Sequence, residues 1–282
     1  MSNLQSRHSN SPTILHASDL HIGAHMPELI NTFRDIANLQ APALVILSGD
    51  LTDGGRQSEY DELASYLSTF RCPVFIVPGN HDSPVEDIVG RIIAPFKSFD
   101  ALLAHRTSFQ CAAFEVAELR TAAPIQTRFD WSKGVAPPRN VRKTLGSFSL
   151  NPASAAPTST QPWRIVVGHH PIVDAPEVHV AGDVIGGFDA LSACDKFGVD
   201  LILSGHTHQT WVGRVENCRT LLATAPTLSS PRIRGEAQGF HAYALSDNDV
   251  VCDVWRWVET AFVLEASNVH PRWPHTKAMT EL

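Results

Sequence analysis

Cysteine is scarce in this chain. Its five cysteines, Cys72, Cys111, Cys194, Cys218 and Cys252, are scattered and form no Cys-x-x-Cys pair. An odd, dispersed set argues against a disulfide framework and against a thiolate zinc site, and leaves the cysteines as small core residues. No run of about 18 apolar residues is present to cross a membrane, and no amphipathic basic helix is evident to lie on one. The opening MSNLQSRHSNSPT is polar and has no apolar signal-peptide core, so residues 1–12 read as a disordered leader and the chain as cytoplasmic. A Gly-x-x-x-x-Gly-Lys-Ser/Thr loop is also missing, which removes support for nucleotide-driven phosphoryl transfer. Positive charge is not in excess either. The net charge of -7 argues against a generally nucleic-acid-binding surface while allowing a local basic groove.

What is present is apolar and regularly interrupted. With 282 residues, 43% of them hydrophobic, the chain can bury the core of one large domain or two small ones. Five short apolar runs share one design: TILHASDLH (13–21), ALVILSGD (43–50), VFIVPGNHD (74–82), RIVVGHH (164–170) and LILSGHTH (201–208). Each reads as a buried strand that ends in Gly, Ser or metal-competent residues. PELINTFRDIANLQ has helical spacing, with Leu29, Ile30, Phe33, Ile36 and Ala37 on one face. SEYDELASYLSTF behaves similarly, with Ser58 as its expected cap, and GGFDALSACDKFG supplies a third helix. Strands alternating with helices predict βαβ units around a largely parallel sheet, whose ligands bind beyond the carboxyl ends of the strands. TLLATAPTL and FHAYALSDNDVVCDVWRWV alternate as antiparallel strands do, joined near Asp247-Asn248-Asp249, and predict a second sheet packed on the first. Trp255 and Trp257 read as packing residues, residues 149–162 as a surface loop, and residues 265–282 as a C-terminal tail.

The strand ends carry the chemistry. They supply Asp19 and His21 from SDLHIG, Asp50 from SGDLTD, Asn80, His81 and Asp82 from PGNHDS, His169 from GHHP, and His206 and His208 from SGHTH. Asp-x-His and His-x-His spacing puts both members of each pair on one side of an extended backbone. Gly205 is expected to free the turn before His206 conformationally. Asp50 has two oxygens and can bridge two cations. Imidazole, carboxylate and amide without thiolate suit Mn, Fe, Zn or Co, with Mn or Fe favoured. This many donors fits two ions better than one, and two ions about 4 Å apart can hold a hydroxide and neutralise a phosphoryl centre. Each motif alone is weak; all five in order at strand ends are not.

In that order, D-x-H, G-D, G-N-H-D, H and G-H-x-H, the chain resembles the calcineurin-like metallophosphoesterase superfamily from Thr13 to about Gly213. The resemblance implies a four-layer α/β/β/α sandwich, two mixed sheets flanked by helices, within a single domain over residues 13–264. It implies one metal held by Asp19, His21, Asp50 and His208, and a second by Asp50, Asn80, His169 and His206. In GHHP the family pattern selects His169; His170 is left beside the site or simply exposed. His81 is similar to the family's phosphate-contacting histidine, with Asp82 expected to orient its ring. Asp53, Thr52 and Asp174 read as turn or helix-start residues first and substrate contacts second. The implied reaction is attack of a metal-bridging hydroxide on phosphorus, assisted by Asn80 and His81.

GDLTDGGRQSEYDEL followed by PGNHD looks most like the bacterial class III cyclic nucleotide phosphodiesterases. The expected partner is therefore a small phosphoester, such as a cyclic nucleotide or related diester. A DNA nuclease, a phosphomonoesterase and a lipid-linked pyrophosphohydrolase of the same superfamily are the alternatives, with a catalytically silent metal-loaded binding module as the non-enzymatic one. Nucleic acid is disfavoured by the acidic charge, no membrane partner is expected, and the oligomeric state is left open, a dimer included. Residues 91–162 are where a cap over the metals is expected if there is one. There Arg128, Lys133, Arg139, Arg142 and Lys143 stand against Asp130, with Phe129 and Trp131 between; the plainer reading is a solvated loop, the sharper one an anion-steering surface.

Overall fold

The structure, a computed structural model, describes residues 11–102, 105–126, 128, 130–149, 161–175 and 183–273. The first half runs β1 (Thr13–Ala17), α1 (Pro27–Gln40), β2 (Leu44–Ser48), α2 (Gln57–Leu67), β3 (Val74–Val77), α3 (Ile88–Ile93) and α4 (Lys97–Asp100). It continues with β4 (Ser108–Gln110), β5 (Phe114–Glu118), α5 (Pro138–Leu145), β6 (Trp163–Val167), α6 (Gly187–Phe197) and β7 (Leu201–Ser204). The chain then forms β8 (Trp211–Gly213), β9 (Leu221–Thr224), β10 (Gly239–Leu245), β11 (Asp249–Val258) and β12 (Ala261–Pro271).

Two six-stranded sheets result, in the orders β12-β11-β10-β1-β2-β3 and β4-β5-β6-β7-β9-β8. Strand alternation builds the layers. Along β1 and β2, Ile14, Leu44 and Ile46 enter the core between the sheets, where they meet Ile165, Val167, Leu201 and Leu203. Their neighbours Leu15 and Val45 point outward, to Leu29, Ile30 and Phe33 of α1 and Leu63 of α2. On the far side, Val166 and Ile202 pack against Val141 of α5 and Ala190, Leu191 and Cys194 of α6. Helix, sheet, sheet, helix is the α/β/β/α sandwich. It also explains why the strands read as unbroken apolar runs, since both faces of each are covered.

The structure corrects several sequence expectations. The five motif strands do not share one sheet: β1, β2 and β3 lie in the first, β6 and β7 in the second. The C-terminal strands do not make a separate sheet, because β10 pairs antiparallel with β1, Leu15 opposite Ala242, and extends the first. β9 runs parallel to β7, not antiparallel. Period-2 alternation identifies a strand but not its partner, so these pairings were open to tertiary choice. The C-terminal segment is strand as far as Pro271. Its end is tied down by Arg272, which donates to Asp200 at 3.0 Å and lies 4.8 Å over the ring of Trp163. The cap of α2 is Arg56 rather than Ser58, because the Glu59 carboxylate reaches back to accept from the backbone N–H of Gly54 and Arg56 at 2.9 and 3.1 Å. Within residues 91–162, β4, β5 and α5 are parts of the sandwich, not a cap. Residues 1–10, 150–160 and 274–282, and Phe129, lie outside the described residues. Trp255 is buried and stacks on Phe240, and Trp257 meets Phe262 edge-on, as packing residues. Of the cysteines, Cys194 and Cys252 are buried while Cys111 is exposed.

Candidate metal centre

Loops after five strands, three from one sheet and two from the other, converge at one end of the sandwich. Asp19 and His21 follow β1, Asp50 follows β2, Asn80 and His81 follow β3, His169 follows β6, and His206 and His208 follow β7. All but His81 are buried. Backbone bonds stitch the loops together: Asp19 and His21 donate to the carbonyls of Gly49 and Asp50 at 3.0 Å, and Gly205 donates to His169 at 2.8 Å. Across the sheets, the His206 N–H donates to Asp19 Oδ2 at 2.9 Å.

Asp19, His21, Asp50, His206 and His208 all have φ between 50° and 69°. Left-handed backbone costs a non-glycine residue about 1–3 kcal/mol and persists only where the surroundings impose it. Here it aims consecutive side chains at one point. Gly205 is required for space rather than for φ, since a Cβ there would sit 1.7 Å from Ser18 Oγ and 2.6 Å from Asp19 Oδ2. Gly49 needs both, with φ +91° and the His169 ring 2.6 Å from a built Cβ.

The histidine tautomers follow from their acceptors. Nδ1 of His169 lies 2.8 Å from the carbonyl of Ser48, Nδ1 of His208 lies 2.8 Å from that of Arg232, and Nδ1 of His81 lies 2.6 Å from that of Asp53. A carbonyl only accepts, so each Nδ1 carries hydrogen and, in the neutral ring, Nε2 keeps its lone pair. His21 Nδ1 faces the Asp53 carboxylate at 3.2 Å in the same manner. The free nitrogens point at carboxylates: His208 Nε2 is 3.1 Å from Asp19 Oδ1, His169 Nε2 is 3.2 Å from Asp50 Oδ2, and His21 Nε2 is 3.9 Å from both Asp19 Oδ1 and Asp50 Oδ2. His206 joins His169, the two rings 5.1 Å apart.

These contacts leave ligand atoms with nothing to bind. Asp19 Oδ1, His21 Nε2, Asn80 Oδ1 and His169 Nε2 are buried without a hydrogen-bond partner. Orphaned acceptors of this kind are costly in a protein interior, and a cation is the partner that oxygen and unprotonated imidazole nitrogen share. Asp19, His21 and His208 form one group whose ligand atoms lie within 4.8 Å of one another, and Asp19, Asp50 and His169 a second. The residues present fit metal ions.

Electrostatics agrees. Burial would raise the Asp50 carboxyl, but attraction to His169, with that of His81 and His21, holds it well below the usual range. His169 is pushed up to about 9, since the charge of Asp50 overcomes a burial that would lower it. His206 is pulled down to about 3 by burial and by neighbouring His169.

Two roles differ from expectation. Asp82 does not touch the His81 ring. Its carboxylate accepts from the N–H of Leu51, Thr52 and Gly79 and from the Thr52 hydroxyl at 2.8–3.1 Å, tying the loop after β2 to the loop after β3. Asp53 takes the orienting role instead, through its carboxylate to His21 and its carbonyl to His81. The nearness of Asp53 to the Gly-Asp motif was its only sequence signal. His170 is buried, not exposed, and both its nitrogens are used: Nε2 donates to the Ser132 carbonyl at 2.8 Å, and Nδ1 lies 2.9 Å from the Thr121 hydroxyl. No lone pair remains for a metal, which separates it from His169. Of the basic stretch, Arg128 pairs with Asp183 at 2.9 Å and Arg139, Arg142 and Lys143 lie on α5. Asp174 accepts from the Asp183 N–H at 3.4 Å.

Among known proteins, a probable cyclic nucleotide phosphodiesterase of Synechococcus is 37% identical over 59 residues, 20% of this chain and 22% of that protein. A probable glycerophosphodiester phosphodiesterase of Arcobacter nitrofigilis is 39% identical over 56 residues, 20% of each chain. The matches thus span about a fifth of these relatives' length. In fold, a dimetal phosphatase from Danio rerio superposes over 93% of this chain and 99% of its own, with a TM-score of 0.62 and 13% identity. No helix among the described residues is long and apolar enough to cross a membrane. The family profile for calcineurin-like phosphoesterases matches residues 12–210, and with its motifs gathered at one end of an α/β/β/α sandwich the chain belongs to that family.

Proposed function

We propose that the protein is a dinuclear metal-dependent phosphoric ester hydrolase acting on a small phosphodiester, a cyclic nucleotide or a related compound. The observation that carries this reading is the set of four orphaned buried atoms on Asp19, His21, Asn80 and His169, gathered from both sheets. In the proposal, Asp19, His21, Asp50 and His208 hold one ion, and Asp50, Asn80, His169 and His206 the other. Mn or Fe suits imidazole, carboxylate and amide donors without thiolate. Such ions supply an activated water and neutralise charge on the phosphoryl oxygens. The chain's own contribution is orientation. Carbonyls and Asp53 keep the ligand imidazoles of His21, His169 and His208 in the metal-binding tautomer, and Asp82 fixes the two loops that carry Asp50 and Asn80. His81, partly exposed, holds Nδ1–H on the Asp53 carbonyl, so a proton on its Nε2 is aimed outward, toward a phosphoryl or leaving oxygen. The matched phosphodiesterases support a diester substrate over a monoester.

The test is hydrolysis of bis-p-nitrophenyl phosphate and of p-nitrophenyl phosphate by chelator-stripped protein, with and without manganese. Manganese-dependent turnover favouring the diester is expected. Preference for the monoester would replace the diesterase reading by a phosphatase, and no turnover with manganese, iron, zinc or cobalt would overturn the enzyme in favour of a metal-loaded binding module.

A further inference from the structure

The segment between β9 and β10 brings two arginines to the rim of the metal centre, and their guanidiniums have no part in the ligand set. The carbonyl of Arg232 is the acceptor that fixes His208. Its guanidinium crosses to the loop after β2 and donates to Asp53 Oδ1 at 2.8 Å, on the carboxylate that also faces His21. Arg232 therefore contacts His208 directly and, through its guanidinium, Asp53, the partner of His21 and His81. The Arg232 side chain is nonetheless 53% exposed, and Asp53 engages only one of its terminal nitrogens, which leaves N–H donors for a further acceptor. Arg234, two residues on, is exposed, and it has no hydrogen-bond or ion-pair partner among the described residues. It stands between two residues that contact the loop of His206 and His208, Arg232 through its carbonyl to His208 Nδ1 and Glu236 through its carboxylate to the Thr210 N–H. The segment is held in place: the Arg232 N–H donates to Ser230 Oγ at 3.2 Å, and Glu236 accepts from the N–H of Thr210 at 2.8 Å. In a chain of net charge -7, two exposed arginines two residues apart beside such a site, one held by a carboxylate and one unpaired among the described residues, are a local exception.

We infer that Arg232 and Arg234 form an anion subsite on the rim, and that the diester cleaved at the metal centre carries a second anionic group remote from the scissile phosphorus. This inference rests on the reading of the site as a phosphodiesterase. A guanidinium held by a carboxylate is pre-oriented to give two parallel N–H bonds to a phosphate or carboxylate, and Arg234 adds a second charge on the same short segment. A second phosphate on a nucleotide diester has the chemistry the rim accepts. A diester whose substituents are both neutral leaves the subsite idle.

The experiment compares thymidine 5'-(p-nitrophenyl phosphate) with its 3'-phosphorylated derivative, which release the same chromophore and differ only in the remote phosphate. With manganese-loaded wild-type protein, kcat/KM should be about tenfold higher for the phosphorylated compound, the gain expected from one or two charge-assisted hydrogen bonds. In Arg234→Gln and in Arg232→Gln that ratio should collapse toward one. A wild-type ratio near one, or variants that lose equally on both compounds, would overturn the subsite and place the arginines at the scissile phosphate. Calorimetric titration with thymidine 3',5'-bisphosphate and thymidine 5'-monophosphate reads the rim without turnover. Tighter binding of the bisphosphate that Arg234→Gln abolishes, with no hydrolysis of either chromogenic compound, would keep the subsite and overturn the hydrolase. Equal affinity for the two nucleotides would overturn the subsite alone.

Discussion

Asp50 and His81 stand 31 residues apart and share a hydrogen bond, the His81 N–H donating to Asp50 Oδ1 at 2.8 Å, yet their expected roles separate cleanly. Asp50→Ala removes the carboxylate common to both proposed ions, so metal content and activity should fall together. His81→Ala should keep both metals and lower turnover about 10²–10⁴-fold, the range for a lost proton donor. Metal analysis beside kinetics distinguishes the two, and equal metal loss in both would contradict these roles. The second prediction at this scale concerns pH. The His169 value of about 9 lies above its ordinary 6.5, so the protonated ring on Asp50 stabilises the metal-free fold. That contribution is full below pH 6.5 and disappears as pH rises through about 9. A metal must displace this proton. Apparent affinity should therefore climb between these limits by about tenfold per pH unit for each proton released, as read by competition with a chelator. A flat profile would show that His169 is already neutral without metal.

At the scale of elements, the loops after β2 and β3 depend on one buried carboxylate. Asp82→Asn keeps the shape but turns an amide N–H₂ toward donors that Asp82 now satisfies at Leu51 and Gly79. Denaturant unfolding of the metal-free protein should show a loss of about 3 kcal/mol, the cost of buried donors left unpaired. Asp53→Asn tests a different link. Its carboxylate orients His21 and receives Arg232 without holding up the fold, so the expected effect is a metal affinity lower by about 10–100-fold with little change in unfolding of the metal-free protein. Unchanged affinity would show that the backbone alone positions His21.

For the whole molecule, metal binding and stability are coupled, because the centre joins loops from both sheets and holds five non-glycine residues at positive φ. Manganese at a hundred times its dissociation constant should stabilise the stripped protein by about 2.7 kcal/mol per ion, provided the unfolded chain binds none. The melting temperature should rise by several degrees, and in Asp50→Ala the rise should be lost. An unchanged melting temperature in the wild type would mean that the cluster does not take the ion.

How much of this was legible in the chain differs by residue. Strand positions and the metal-competent inventory could be read, since buried strands are short apolar runs and the motifs sit in consecutive residues. The exchange between Asp82 and Asp53 could not, because both are aspartates beside a motif and only the packed loops decide which one reaches the His81 ring and which one ties backbone to backbone. His170 read as well exposed as buried until Thr121 and Ser132, 49 and 38 residues away, were seen to occupy its nitrogens. The sequence by itself determined which candidate donors are available, because metal-ligand chemistry resides in side-chain type and short spacing. Only the tertiary structure decided the division of strands between two sheets, the tautomers of the histidines and the placing of Arg232 on Asp53, because each depends on contacts between segments that no local pattern encodes.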